Sequence, residues 1–308
     1  MLKVKFLGIE FENPTVLASG IYPTAASALI KAVENGAGGV TTKSIWLKEH
    51  KGHPAPTLLI TEHFTINAVG LSDYGIDKSG PEITAYKEKI AQIGLRAPVI
   101  ASIVAGQKLD FGLIAEKISE YSPDIIEVNI SCPNVEDEFG KPFACDKYSA
   151  ADVTKIVKAR TKLPVIVKLS PNVYSISDVA KAVADAGADG FCAINTVGPG
   201  MVIDIEKRSP FLSNKFGGVS GPGIKPIGVK AVYDIYKATH LSILGMGGIN
   251  TGKDAIEFIM AGATLVGIGA AIYTRGPNVF KLITDEMTEW MKSHNVKNLS
   301  ELIGVAHL

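Results

Sequence analysis

One phrase recurs eight times along the 308 residues: a short apolar run rich in Val, Ile and Ala, closing on small or polar residues, then an amphipathic stretch. Strands buried on both faces of a parallel sheet read as continuous apolar runs, whereas half-solvated strands alternate. The runs are Thr15–Gly20, Gly39–Ser44, Pro98–Ile103, Ile125–Ser131, Pro164–Ser170, Gly190–Thr196, Leu241–Gly248 and Leu265–Ile272. Helical patterns follow at Thr24–Asn35, Phe111–Tyr121, Ala150–Thr161, Ser177–Ala186, Gly228–Thr239, Gly252–Ala261 and Pro277–Ser293. Asn35-Gly36, Ala186-Gly187-Ala188 and Ala261-Gly262-Ala263 read as helix C-caps, where a left-handed glycine returns the chain to the next strand. Eight strand–helix units predict an α/β chain folded as a closed (β/α)8 TIM barrel, one domain over residues 1–308. An open doubly wound sheet is the alternative. Two connections exceed a simple turn, Ile45–Ala97 and Val197–Pro226. Long βα loops in a barrel usually build the active site, and neither carries the hydrophobic pattern of a second domain.

Composition narrows the partners. Lys+Arg and Asp+Glu each number 31, so the formal net charge is zero and no general field favours nucleic acid or an anionic membrane. Three cysteines, Cys132, Cys145 and Cys192, form no C-x-x-C pair. They fit a reducing cytoplasm and are too few for a four-cysteine iron–sulfur cluster. The six histidines show no metal-ligand spacing, so no metal site is expected. No signal-peptide core is read in Met1–Phe11, and no apolar run reaches membrane-span length.

Barrel chemistry sits at the C-terminal ends of strands, and those ends can be read in order. Ala18-Ser19-Gly20 is small enough for a flat ligand to approach the backbone, or for a plain tight turn. Thr42-Lys43-Ser44 and Val167-Lys168-Leu169-Ser170 each send a lysine toward the mouth, where it suits an anion. Glu127-Val128-Asn129-Ile130-Ser131-Cys132-Pro133-Asn134 is the most informative stretch. A lone cysteine is ordinarily structural, and Cys145 and Cys192 are read so. Cys132 lies between two asparagines and beside a proline at a strand end, which favours a proton-transfer or nucleophilic role. Asn195-Thr196 adds hydrogen-bonding groups. Gly245-Met246-Gly247-Gly248-Ile249 and Gly267-Ile268-Gly269-Ala270-Ala271 fall where barrels bind phosphate through backbone N–H groups. Gly217-Gly218 and Ser220-Gly221-Pro222-Gly223 could add donors or be ordinary turns. The set contains no carboxylate pair for sugar hydrolysis. It suits an anionic substrate stacked on a phosphate-bearing ring, with the thiol moving a proton.

At these residues the sequence resembles class 1 dihydroorotate dehydrogenase, an FMN enzyme of pyrimidine (UMP) biosynthesis, over nearly its whole length. The specific pieces are Asn129–Asn134 (N-I-S-C-P-N), Thr42–Ser44 (T-K-S), Asn67–Leu71 (N-A-V-G-L), Gly245–Ile249 (G-M-G-G-I) and Ile203–Pro226 with its N-K-F-G-G-V-S-G-P-G-I-K-P core. The resemblance implies oxidation of (S)-dihydroorotate to orotate. Cys132 would take the C5 proton while the C6 hydride passes to flavin N5; class 2 enzymes carry serine there. It implies that Lys43, Asn67, Ala68, Val69, Gly70, Leu71, Asn129, Asn134, Asn195 and Thr196 bind substrate. FMN would be held by Ala18, Ser19, Gly20, Lys43, Ser44, Asn129 and Lys168, with Ile194, Gly221, Gly247, Gly248, Gly269 and Ala270. Lys168 would stand at the flavin pyrimidine edge and stabilise the reduced anion. Two departures are visible. Ala270 stands where many relatives have threonine, so one phosphate contact would be lost or taken by backbone. The Val135–Cys145 loop, expected to cover the site, is acidic and carries an extra cysteine.

His53–Pro56 (H-P-A-P) and the Ile203–Pro226 region resemble class 1B, the NAD-linked form, more than the fumarate-using class 1A. Class 1B implies a second subunit with FAD and an iron–sulfur cluster; a homodimer is also implied. The N-terminal helical extension of membrane-bound class 2 is not expected. An archaeal-type variant with another acceptor is a further alternative. Rival readings are a dihydropyrimidine dehydrogenase-type flavin barrel, a dihydrouridine synthase acting on RNA, a non-redox phosphate-binding barrel, and an interaction scaffold. No basic excess supports the RNA enzyme, and a scaffold needs no polar cluster at one barrel face.

Overall fold

A computed structural model of the protein describes residues 1–131 and 143–307. The barrel strands are β1 (Thr15–Leu17), β2 (Gly39–Thr41), β3 (Val99–Ile103), β4 (Ile125–Asn129), β5 (Val165–Leu169), β6 (Gly190–Ala193), β7 (Ser242–Met246) and β8 (Leu265–Ile268). They pair in parallel and close in the order β6-β7-β8-β1-β2-β3-β4-β5. The expected (β/α)8 barrel is therefore the fold, and the open sheet is not. Strands β1 to β6 are buried at every residue, as continuous apolar runs require. The ladders end earlier than the apolar runs: Ala18-Ser19-Gly20, Lys43-Ser44 and Asn195-Thr196 have left the sheet and turned into the barrel mouth.

The helices are α1 (Ala26–Glu34), α2 (Ile76–Gln92), α3 (Lys108–Ser119), α4 (Lys147–Lys158), α5 (Ile176–Asp185), α6 (Lys225–Thr239), α7 (Gly252–Met260), α8 (Ala271–Arg275) and α9 (Val279–Ser293). Gly36, Gly187 and Gly262 have φ of +98°, +98° and +119°, the left-handed cap conformation expected. Helix α2 lies inside the connection read as loop. Its Gly80-Pro81 pair looks like a breaker, yet a Cβ on Gly80 would stand 2.3 Å from the Tyr121 ring. Glycine there lets the helix pack closely.

The lower end of the barrel is tied by a repeated device. Asp124 accepts the Val99 amide (2.8 Å) and pairs with Lys87 of α2 (3.1 Å). Asp189 accepts the Val165 amide (2.7 Å) and pairs with Lys158 of α4 (2.7 Å). An antiparallel hairpin, Val4–Phe6 with Ile9–Phe11, spans this end. Phe6 and Phe11 are fully buried and meet edge to face. Phe11 packs at Gly39, where β2 starts, and Leu7 reaches Gly190, where β6 starts on the opposite wall.

The two long connections are not independent loops. Leu58–Ile60, Thr65–Asn67, Gly217–Ser220 and Val197–Gly200 pair into one antiparallel four-stranded sheet beside the mouth. Alternation sets its two faces: Ile66 goes into a small core with Ala68 and Leu212, while Thr65 and Asn67 face the cavity.

Candidate active site at the barrel mouth

The strand ends and this roof sheet enclose a cavity of about 390 Å³, within the roughly 300–1,000 Å³ of cofactor pockets. Ala18, Ser19, Gly20, Lys43 and Ser44 line it from β1 and β2; Asn129 and Lys168 from β4 and β5; Ile194, Asn195 and Thr196 from β6. Asn67, Ala68, Val69, Gly70 and Leu71 come from the roof, and Gly221, Gly247, Gly248, Gly269 and Ala270 close the far side. Every site residue named from the sequence is thus gathered in one space, apart from Cys132 and Asn134, which lie outside the described residues.

The polar groups form a chain. Ser44 Oγ bonds Ser102 Oγ (2.9 Å) and accepts from Asn129 Nδ2 (2.9 Å). Asn129 Oδ1 accepts from Ser131 Oγ (3.0 Å), which in turn accepts from Asn195 Nδ2 (2.9 Å). Asn195 Oδ1 receives the Thr196 amide at 2.8 Å. Such a network fixes amide orientation, because a buried amide left unsatisfied is costly. Lys43 donates to Ser72 Oγ (2.8 Å). Burial pulls its pKa below the ordinary 10.5, against the Asp73 carboxylate, which raises it. Asp73 itself organises the loop, accepting from the Trp46 and Gly75 amides and from Ser79 Oγ.

On the far side the backbone packs closely on itself along the cavity wall. Gly248 has φ +89°, and a Cβ there would meet the Lys225 nitrogen at 2.7 Å and the Gly221 oxygen at 2.9 Å. Only glycine permits both the conformation and the spacing. Lys225 binds Asp254 (2.9 Å) and Glu257 (2.7 Å), tying the start of α6 to α7. Burial pushes the Asp254 carboxyl up, but hydrogen bonds from Lys225, Thr251 and the Asn250 and Thr251 amides outweigh it and hold it low. Thr251 and Asp254 form a capping box on α7. The arrangement is a rigid, glycine-walled end suited to phosphate, facing a cationic and amide-rich end suited to an anionic ring.

The dihydroorotate dehydrogenase profile matches residues 1–291. The chain belongs to this family. Methanocaldococcus jannaschii has a relative 45% identical over 307 residues, covering 100% of this chain and 98% of that protein. Relatives from Pyrococcus abyssi (41%, covering 99% of each chain) and Methanothermobacter thermautotrophicus (38%, covering 100% and 99%) are also full length. All three are named dihydroorotate dehydrogenase B (NAD(+)), catalytic subunit. The Eimeria tenella enzyme, solved in complex with ferulenol, superposes with TM-score 0.84 at 23% identity over 99% of this chain and 88% of that one. That likeness concerns the fold. Among the described residues no helix is long and apolar enough to cross a membrane.

Some groups at this family's site were not singled out from sequence. Ser102 and Ser131 link the amide chain, and Asn172 donates to the Thr196 carbonyl (3.2 Å). Tyr273 of α8 lines the phosphate end, its hydroxyl held neutral by burial and by Tyr22. Single polar side chains of this kind carry no periodic signal, so only the fold exposes them. Two glycine expectations are corrected. Gly217 and Gly218 are strand residues rather than a turn, where a Cβ would strike Asn67 or Thr196, and both line the cavity. The Gly223 amide is already given to the His63 carbonyl (3.0 Å). Of the Val135–Cys145 loop, the described residues 143–145 form a short 3-10 turn.

Proposed function

We propose that this chain oxidises (S)-dihydroorotate to orotate with FMN in pyrimidine synthesis. The observation that carries the reading is one cavity holding a glycine-walled phosphate end and the Lys43–Asn129–Lys168–Asn195 array, in a chain of the dihydroorotate dehydrogenase family. FMN fits these residues. The close-approach glycines Gly221, Gly247 and Gly248, with Gly269 and Ala270, would hold the phosphate by backbone groups. Ala18, Ser19 and Gly20 leave room for the ring system, and Ser44, Asn129, Lys168 and Ile194 would meet its other edge. Bound FMN would supply the hydride acceptor at N5.

The chain's own residues orient the substrate and move its proton. Asn67 and its neighbours Ala68 to Leu71, with Asn129, Asn195 and Thr196, would present amides to the pyrimidine ring and carboxylate; Lys43 would offset the negative charge. Asn134 would join them. Cys132 would take the C5 proton as the C6 hydride leaves, forming the C5–C6 double bond. The resemblance to B-type catalytic subunits supports a homodimer joined to a second subunit with FAD and an iron–sulfur cluster, passing electrons to NAD. A cytoplasmic location agrees with the cysteine content.

An anaerobic absorbance spectrum of the purified chain, before and after dihydroorotate, tests this. The expected result is a flavin band that bleaches. A band that persists with dihydroorotate but bleaches with dihydrouracil would replace the substrate. No band after added FMN would overturn the flavin reading.

A further inference from the structure

Glu127 is a charged residue in the middle of an apolar strand, with no exposed surface. It shares the interior face of β4 with Asn129 but lies below it, outside the cavity lining. Neither carboxylate oxygen receives a hydrogen bond among the described residues. Oε1 lies 3.7 Å from Nζ of Lys168. Lys168 does line the cavity and is itself 5% exposed. The carboxylate therefore stands behind the ammonium, and the ammonium stands between it and the ligand space. Cross-strand neighbours of Glu127 are Ser102, whose hydroxyl is already bonded to Ser44, and Ile166. Cys192, in register with Lys168 on β6, is fully buried. Burial and the adjacent Glu127 push its thiol well up, Lys168 opposing, so it adds no charge.

Burying a carboxylate without hydrogen bonds is expensive, and a packed apolar residue of similar volume would ordinarily be as stable. The arrangement is better explained by what it does to Lys168. In a low-dielectric interior a charge a few ångströms away is felt strongly. An ammonium at the flavin pyrimidine edge favours added electrons; a carboxylate directly behind it cancels part of that attraction. We propose that Glu127 is a positioning residue that lowers the reduction potential of the bound flavin by holding and partly neutralising Lys168. This rests on the FMN reading above. It would make the reduced cofactor a better donor to a downstream acceptor, with Lys168 kept for binding and orientation.

The test is a dye-mediated potentiometric titration of the FMN-loaded chain and of Glu127→Gln, which keeps shape and removes charge. The expected result is a rise of about tenfold or more in the reduced-to-oxidised ratio at fixed ambient potential, about 30 mV for a two-electron couple. A potential that is unchanged or more negative overturns the proposal. In a Lys168→Gln background the same Glu127→Gln change should lose its effect, because interacting sites are non-additive; a full shift there also overturns it. Should Glu127→Gln not fold, Glu127→Asp, whose shorter side chain retreats from Lys168, should move the potential the same way by less, and no movement counts against the proposal. A wild-type chain that binds no FMN overturns the functional reading itself, whereas a flavin-loaded wild type with an indifferent Glu127→Gln overturns this inference alone.

Discussion

Lys43 sits where burial and function meet. Its ammonium is held by Ser72, yet burial lowers its pKa below 10.5. The protonated form is the one that attracts an anion, so orotate affinity should be flat near neutrality and fall as pH climbs through the lowered value. The fall should begin at lower pH than for an ordinary lysine. Titrating orotate binding against pH reads this directly, and Lys43→Ala should weaken binding roughly tenfold to a hundredfold and abolish the alkaline limb. Cys132→Ala should retain flavin but slow its reduction by dihydroorotate about 100-fold or more, the scale of a lost general base. Stopped-flow absorbance measures it, and an unchanged rate would remove Cys132 from the chemistry. Residues at this scale were legible where polarity interrupts an apolar run at its end, as at Lys43, Asn129, Lys168 and Asn195. Glu127 interrupts the same kind of run in its middle. Its meaning depends on Lys168 across the ladder, which linear order does not display.

Among elements, the turn from β7 into α7 combines a positive φ with a close backbone contact. Gly248→Ala adds a Cβ against the Lys225 and Gly221 backbones at a positive φ. The expected cost is about 1–3 kcal/mol of strain, taken up by a shift of the loop away from the α6 start. FMN content of the purified variant should drop sharply while circular dichroism stays native; full flavin occupancy would show that the cradle lies elsewhere. Strands and C-cap glycines were readable because their signals are local. The roof sheet was not. Thr65 and Ser220 meet across 155 residues of sequence, and Leu58–Ile60 or Gly217–Ser220 alone has too short a pattern to announce a partner. Helix α2 was hidden by Gly80-Pro81, two residues that disfavour helices in isolation but are accommodated once Tyr121 packs on the glycine.

For the whole molecule, the closed barrel followed from the eightfold repeat, since the count of units decides between open and closed sheets. On the proposed two-subunit scheme, the electron path out of the chain is a property of the assembly. With the isolated chain, dihydroorotate should bleach the flavin but reduce NAD only slowly. Adding the second subunit should raise NAD reduction by orders of magnitude, and rapid NADH formation by the chain alone would overturn the two-subunit scheme. The hairpin Val4–Phe11 braces opposite walls at the lower end, with Phe6 and Phe11 fully buried beneath the strands. Among the described residues, the hairpin therefore closes this end to ligand passage. On the same two-subunit scheme the acceptor takes electrons without needing the barrel mouth, so substrate and product alone share that doorway, and each product would have to depart before the next substrate arrives.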